Sequence, residues 1–200
     1  MRKFEYLSVA LFSAQALACT PPAGFVNPTL PEIAPLDQML SHTETKNIDR
    51  PLASVMQGAS RPLEQAIRPT KDLPGVSGTY RLSDGPYGTV GARRLVCLTD
   101  GNVAVEEVLL TESGEATNRF RYVVWNYTNP RFDDVSHAVG EFVRTQPEPG
   151  KTRVSWTYRF ELKPGRDREV FRKEFLETIF AEWMRNVLGI GHSTTEAASR

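Results

Sequence analysis

The stretch Lys151-Thr152-Arg153-Val154-Ser155-Trp156-Thr157-Tyr158-Arg159-Phe160-Glu161-Leu162 alternates apolar and polar side chains without a break. Val154, Trp156, Tyr158, Phe160 and Leu162 share one face of an extended chain, and Arg153, Ser155, Thr157, Arg159 and Glu161 share the other, the period of a half-buried strand. Burying side chains of this size contributes roughly 1.5–3 kcal/mol each, so the oily face must lie against a core, a helix or a ligand. After Pro164-Gly165 the period changes. Val170, Phe171, Phe175, Leu176, Ile179, Phe180, Trp183, Met184, Val187 and Leu188 recur at helical spacing, with charged residues between them, and Gly189 closes the run. The expectation is one long amphipathic helix after an aromatic strand.

Upstream, the same alternation recurs in shorter runs at residues 78–83, 89–98, 102–111, 118–127 and 138–146. The connections between them carry turn residues: Asp84-Gly85-Pro86, Asp100-Gly101, Glu112-Ser113-Gly114 and Pro147-Glu148-Pro149-Gly150. Links this short make antiparallel hairpins. Before them, residues 41–48 read as an edge strand. Asp49 as a capping acid ahead of Pro51 starts a short helix to Met56, and Ser60, Pro62 and Glu64 start a second one, to Ile67.

The remaining segments are an N-terminal appendage and a polar tail at residues 191–200. Arg2 and Lys3 precede the apolar run Leu7–Ala14, and Ala16-Leu17-Ala18 supplies small residues at a cleavage site, so residues 1–18 read as an export signal. Cys19 follows the expected cut and is a candidate for lipidation, which would tether the protein to a membrane. Export would also permit a Cys19–Cys97 disulfide, although a small buried thiol is the plainer reading of Cys97. Residues 19–40 contain Pro21, Pro22, Pro28, Pro31 and Pro35 among Phe25, Val26, Leu30, Ile33 and Leu36. This Pro-rich composition gives a linker or an extended arm.

Lysine plus arginine equals aspartate plus glutamate, 24 against 24, and no basic block offers a footprint for nucleic acid, which is excluded as a partner. No motif implies a cofactor. Asp133, Asp134 and His137 match no metal-ligand spacing, and there is neither a nucleophile elbow nor a phosphate loop.

One strand, two short helices, a meander and a long C-terminal helix is the order of the helix-grip fold, an α+β architecture in which a curved antiparallel sheet wraps around the C-terminal helix. In Asp49–Met56, Leu73-Pro74-Gly75-Val76, Val90-Gly91-Ala92-Arg93-Arg94, Asp100-Gly101 with Val105-Glu106-Glu107-Val108, and Gly150–Trp156, the chain resembles the START-like (SRPBCC) superfamily and its polyketide cyclase/dehydrase-like branch. The resemblance spans residues 41–190. It implies a cavity between sheet and helix that binds a hydrophobic small molecule or lipid, with cyclase or dehydratase chemistry in some members. It also places Glu106 where a family glutamate can point into the cavity.

Candidate ligand-binding residues are Tyr80, Arg94, Glu106, Tyr122, Phe142, Trp156, Tyr158, Phe160, Phe171, Phe175 and Ile179. A filled core would use the same aromatics. Glu106 is a weak catalytic candidate, since a carboxylate in an apolar pocket can act as a general acid or base. Its plainer role is an ion pair with an arginine on the next strand. If Asp100-Gly101 is a two-residue turn, Arg94 faces Glu107 and Leu95 faces Glu106, and both faces of that hairpin are partly apolar. The outer face then needs a cover, either the Pro-rich arm or the second subunit of a homodimer. A third reading is a non-enzymatic accessory protein with a closed cavity and a protein partner.

Overall fold

In a computed structural model, which describes residues 19–59 and 61–190, the chain forms one seven-stranded antiparallel sheet. The strands are β1 Leu40–Ile48, β2 Val76–Arg81, β3 Arg93–Leu98, β4 Val103–Ser113, β5 Thr117–Trp125, β6 Val135–Glu148 and β7 Lys151–Leu162. Their order across the sheet is β1-β7-β6-β5-β4-β3-β2. Two short helices, α1 Leu52–Gly58 and α2 Leu63–Ala66, join β1 to β2. A helical stretch over residues 168–188 follows β7. The signal segment and the polar tail expected at the two ends lie outside the described residues.

The C-terminal stretch is continuous but not uniformly α-helical. It comprises α3 Arg168–Phe171, a π-helical segment Arg172–Phe180, and α4 Ala181–Leu188. The apolar spacing explains the middle segment. Phe171 to Leu176 and Phe175 to Phe180 are five residues apart, so turns closed by i→i+5 bonds keep all four side chains on the sheet. They are buried, whereas Val170, expected in the apolar stripe, is 48% exposed. Asp167 caps the start by accepting from the Glu169 and Val170 amides at 2.9 and 3.0 Å. At the other end Lys46 of β1 donates to the carbonyls of Leu188 and Gly189 at 2.7 and 3.0 Å, satisfying groups the helix leaves open.

The first short helix begins two residues later than its sequence signals. Pro51, not Asp49, is the N-cap residue of α1, and the open Leu52 amide is taken by Gln146 Oε1 of β6 at 2.8 Å. Ser60 lies outside the described residues, and α2 is a single turn from Leu63.

The sheet buries both faces. On the concave side Tyr122, Val124, Ala138, Trp156, Tyr158 and Phe160 pack against Phe171, Phe175, Leu176, Phe180, Trp183 and Met184. On the convex side Leu95, Val103, Val105, Val123, Trp125 and Val139 form a second core, and Phe25, Leu30, Ile33, Ala34 and Leu36 of the Pro-rich segment pack on it. The arm is therefore the cover that the doubly apolar hairpin demanded. Arg93 of β3 donates to the Pro28 carbonyl at 3.0 Å, and Arg168 to the Gln38 carbonyl at 2.6 Å, so both halves of the arm are pinned.

The start of the arm is fixed covalently by a Cys19–Cys97 disulfide. This corrects two expectations. Cys97 is not a free buried thiol, and Cys19 cannot carry a lipid in this state, because acylation would need the same sulfur. A membrane tether through Cys19 goes with it.

The β3–β4 register also differs from the expected one. Leu98 pairs with Asn102 across Thr99, Asp100 and Gly101, a three-residue connection with Gly101 at φ 85°. Such a loop needs a left-handed residue, which glycine supplies without strain. The extra residue slides the pairing by one, so Arg93 faces Glu107 and Arg94 faces Glu106. A slip of one residue exchanges the faces. Arg94, Val96, Ala104 and Glu106 become concave; Arg93, Leu95, Val105 and Glu107 become convex.

Candidate functional site

A cavity of about 80 Å³ lies where the concave face of β3–β5, the loop after α2 and the C-terminal helix meet. Its walls are apolar. Val96, Leu98, Ala104 and Val124 form the sheet side, α2 and the chain after it contribute Leu63, Ile67 and Leu73, and β7 and the C-terminal helix contribute Tyr158, Phe160, Phe180 and Trp183. Tyr127 and Phe132 close the side, stacked on each other with ring centroids 4.6 Å apart.

One charged residue stands in this wall. Glu106 is 7% exposed and directs Oε2 at the Arg94 guanidinium, with Nη2 at 2.5 Å and Nε at 2.6 Å. The Tyr87 hydroxyl donates to the same oxygen at 3.1 Å, and the Arg94 guanidinium lies 3.6 Å from the Tyr87 ring centroid. Among the described residues Oε1 receives no hydrogen bond, which leaves one acceptor at the wall. Burial works to lower the Arg94 pKa, but Glu106 and Tyr87 beside it leave it raised. Burial, and then the Glu106 carboxylate, push the Tyr87 phenol well above its ordinary value. Both groups therefore keep their protons.

Beside the pair runs a hydrogen-bonded aromatic chain. Trp156 Nε1 donates to the Tyr122 hydroxyl at 3.2 Å, and Tyr122 donates to the Tyr158 hydroxyl at 2.9 Å. Tyr158, which lines the cavity, is then the end of the chain. Burial raises the pKa of Tyr122, Tyr127 and Tyr158, with Glu106 adding to each shift. The cavity thus offers neutral phenols and one carboxylate in an otherwise apolar enclosure.

The predicted residues separate into three groups. Glu106, Tyr158 and Phe160 line the cavity, with Arg94 and Tyr122 directly behind them. Phe142, Trp156, Phe171, Phe175 and Ile179 lie in the concave core instead. Phe142 stacks on Trp156 at 4.9 Å, and Phe160 packs on Phe171 and Phe175 at 5.5 and 6.1 Å, so these rings fill space rather than wall it. Tyr80 belongs to neither group. It faces Leu95 across the β2–β3 ladder on the convex side and is 43% exposed.

Residues that sequence reading passed over complete the site. Tyr87 lies between Gly85-Pro86 and Gly88, in a turn where an aromatic has no strand face to fill. The expected third strand had absorbed residues 89–92, but β3 starts only at Arg93, and the turn before it brings Tyr87 over Arg94. His137 lies just before the expected strand run at residues 138–146. It is 2% exposed within β6, because that strand begins at Val135.

No protein-family model matches the chain, and no curated protein matches it either. Solved structures do. A START superfamily protein from Mycobacterium smegmatis is 12% identical, with 74% of this chain and 93% of that one covered at a TM-score of 0.52. The Zhui aromatase/cyclase from Streptomyces sp. R1128 is 16% identical, with 76% and 93% covered at 0.53. The protein XoxI from Bacillus cereus is 17% identical, with 74% and 93% covered at 0.51. At these identities the likeness is one of fold: this chain has the START-like, helix-grip fold.

Proposed function

We propose that the protein is an exported binding protein that holds a hydrophobic small molecule or lipid between the sheet and the C-terminal helix. The observation that carries this reading is the apolar cavity whose wall holds one carboxylate, Glu106, and the phenols Tyr127 and Tyr158. Binding sites for small molecules have that composition: mostly apolar walls with a few placed polar groups. A compact ligand bearing a hydroxyl group fits both. The unliganded volume, about 80 Å³, is below the roughly 300–1,000 Å³ of sites for larger ligands. Entry of anything larger therefore requires movement of the wall at α2, which contributes Leu63 and has no buried residue.

The apolar run at residues 7–14, the small residues before Cys19 and the disulfide, which oxidising compartments permit, support export. Cyclase or dehydratase chemistry would rest on Glu106, and the Arg94 salt bridge weighs against it, because that carboxylate is already committed. The small volume favours a different second reading, an accessory protein with a closed cavity that engages a protein partner.

Native mass spectrometry of the protein purified from its own host separates the two. A bound small molecule on the wild type that is absent from a folded Ala104→Trp variant, whose indole would fill the cavity, is the expected result. Wild type and variant each appearing only at its own bare polypeptide mass would leave the accessory reading standing alone.

A further inference from the structure

Arg144 of β6 is the one buried cation in the concave face that has no carboxylate partner among the described residues. It retains 8% of its surface, a degree of burial that arginine seldom reaches unpaired. Its only hydrogen bond there is from Nη1 to the Asn118 side-chain oxygen at 2.8 Å, and its guanidinium lies 4.5 Å from the Phe142 ring centroid. Asn118 has nothing more to give, since its amide nitrogen donates to the Glu112 carbonyl and the Ser113 hydroxyl. Desolvation lowers the Arg144 pKa, as expected for a buried cation without a carboxylate beside it.

The register fixes its surroundings. Lys46, Val154, Arg144 and Asn118 form one row across β1, β7, β6 and β5. The row contains two cations and no acid, and the Lys46 ammonium is already spent on the end of the helix. Six residues of strand, about 20 Å at 3.3 Å per residue, separate Arg144 from Ala138, the level of the Glu106 cavity. α1 packs across β6 and β7 at this end, and its buried Leu52 and Val55 make the neighbourhood apolar.

We propose that Arg144 is an anion-binding residue, and that the open edge of its guanidinium receives the carboxylate of an apolar monocarboxylic acid at the end of the concave face crossed by α1. A guanidinium presents a planar fork that matches a carboxylate in two parallel bonds. One cation neutralises one negative charge, so a monoanion leaves the apolar surroundings neutral where a phosphate dianion would leave a charge behind. The Phe142 face and the neighbouring aliphatic side chains suit an alkyl or aryl body. This site is separate from the Glu106 cavity and stands or falls without it.

The test titrates the disulfide-bonded protein with decanoate, decanol and decyl phosphate, following thermal stability and heat of binding. Decanoate should bind better than the other two. In Arg144→Met, an uncharged residue of similar length, decanoate affinity should fall by about tenfold or more. Arg144→Lys keeps the charge without the fork and should weaken decanoate several-fold with decanol unchanged. Ala104→Trp should leave decanoate binding intact. Equal binding of decanoate and decanol, tighter binding of decyl phosphate, or decanoate binding unaltered in either Arg144 variant would overturn the proposal.

Discussion

Gly140 shows how one residue without a side chain sets the polar geometry of the interior. It lies within β6 facing Tyr122, and a Cβ built on it would come within 2.3 Å of Tyr122 Cζ and 2.6 Å of its hydroxyl oxygen. A glycine inside a strand pattern marks such a close approach, and here the visitor is the middle member of the Trp156–Tyr122–Tyr158 chain. Gly140→Ala must push the phenol aside in a packed core, at a cost of about 1–3 kcal/mol, and a urea denaturation curve with an unchanged midpoint would refute that. His137 gives a pH dependence at the same scale. Burial lowers its pKa, with Glu161 opposing, and its Nε2 finds no partner among the described residues. Because the folded state binds this proton less readily than the unfolded chain, stability is full above the ordinary histidine value of about 6.5 and declines as pH falls from there toward the lowered folded value. The slope from this one group is at most about 1.4 kcal/mol per pH unit. His137→Leu should flatten the decline between pH 7 and 5; an unaltered slope would place the lost proton uptake elsewhere.

Elements were legible wherever a period ran uninterrupted. The alternation over residues 151–162 became β7, and its oily face, which could have met a core, a helix or a ligand, packs Trp156, Tyr158 and Phe160 against the C-terminal helix. Legibility failed where one residue of loop length mattered. Asp100-Gly101 looks like a two-residue turn, yet Thr99 also belongs to the connection, held by its Oγ1 accepting from the Gly75 amide at 3.1 Å. That tertiary contact is invisible in the hairpin's own sequence. Glu106 lies in the cavity wall, but the arginine opposite it followed only from the true register. Similarly, the five-residue steps between Phe171 and Leu176 and between Phe175 and Phe180 were present in the sequence but merged into an ordinary helical stripe. The cavity itself depended on Leu63, Ile67, Leu73 and Phe132, which come from loops and single turns with no period to announce them. Aromatic content marked the core and could not mark the space within it.

At the scale of the molecule the arm turns a single-cored fold into a body with two cores on one sheet. The convex cluster of Leu95, Val105, Val123, Trp125 and Val139 owes its cover to residues 25–36, which are too proline-rich to hold themselves by backbone pairing. Two contacts to arginines and the Cys19–Cys97 bond hold them in place. The bond joins residues 78 apart in sequence, and closing a loop of that size restricts the unfolded chain by an amount worth roughly 4 kcal/mol. Cys97→Ser should therefore lower the melting temperature by about 8–16 °C, with the arm still covering the sheet in most molecules. Its loosening has a second signature, because the release of the arm would bare an apolar face large enough to bind a hydrophobic dye or a second copy. Deleting residues 20–40 removes the cover outright and should produce both effects more strongly: dye binding and concentration-dependent association by light scattering. A deletion variant as stable and as monodisperse as the full chain would mean that the convex core supports itself, and that the arm is a passenger on it.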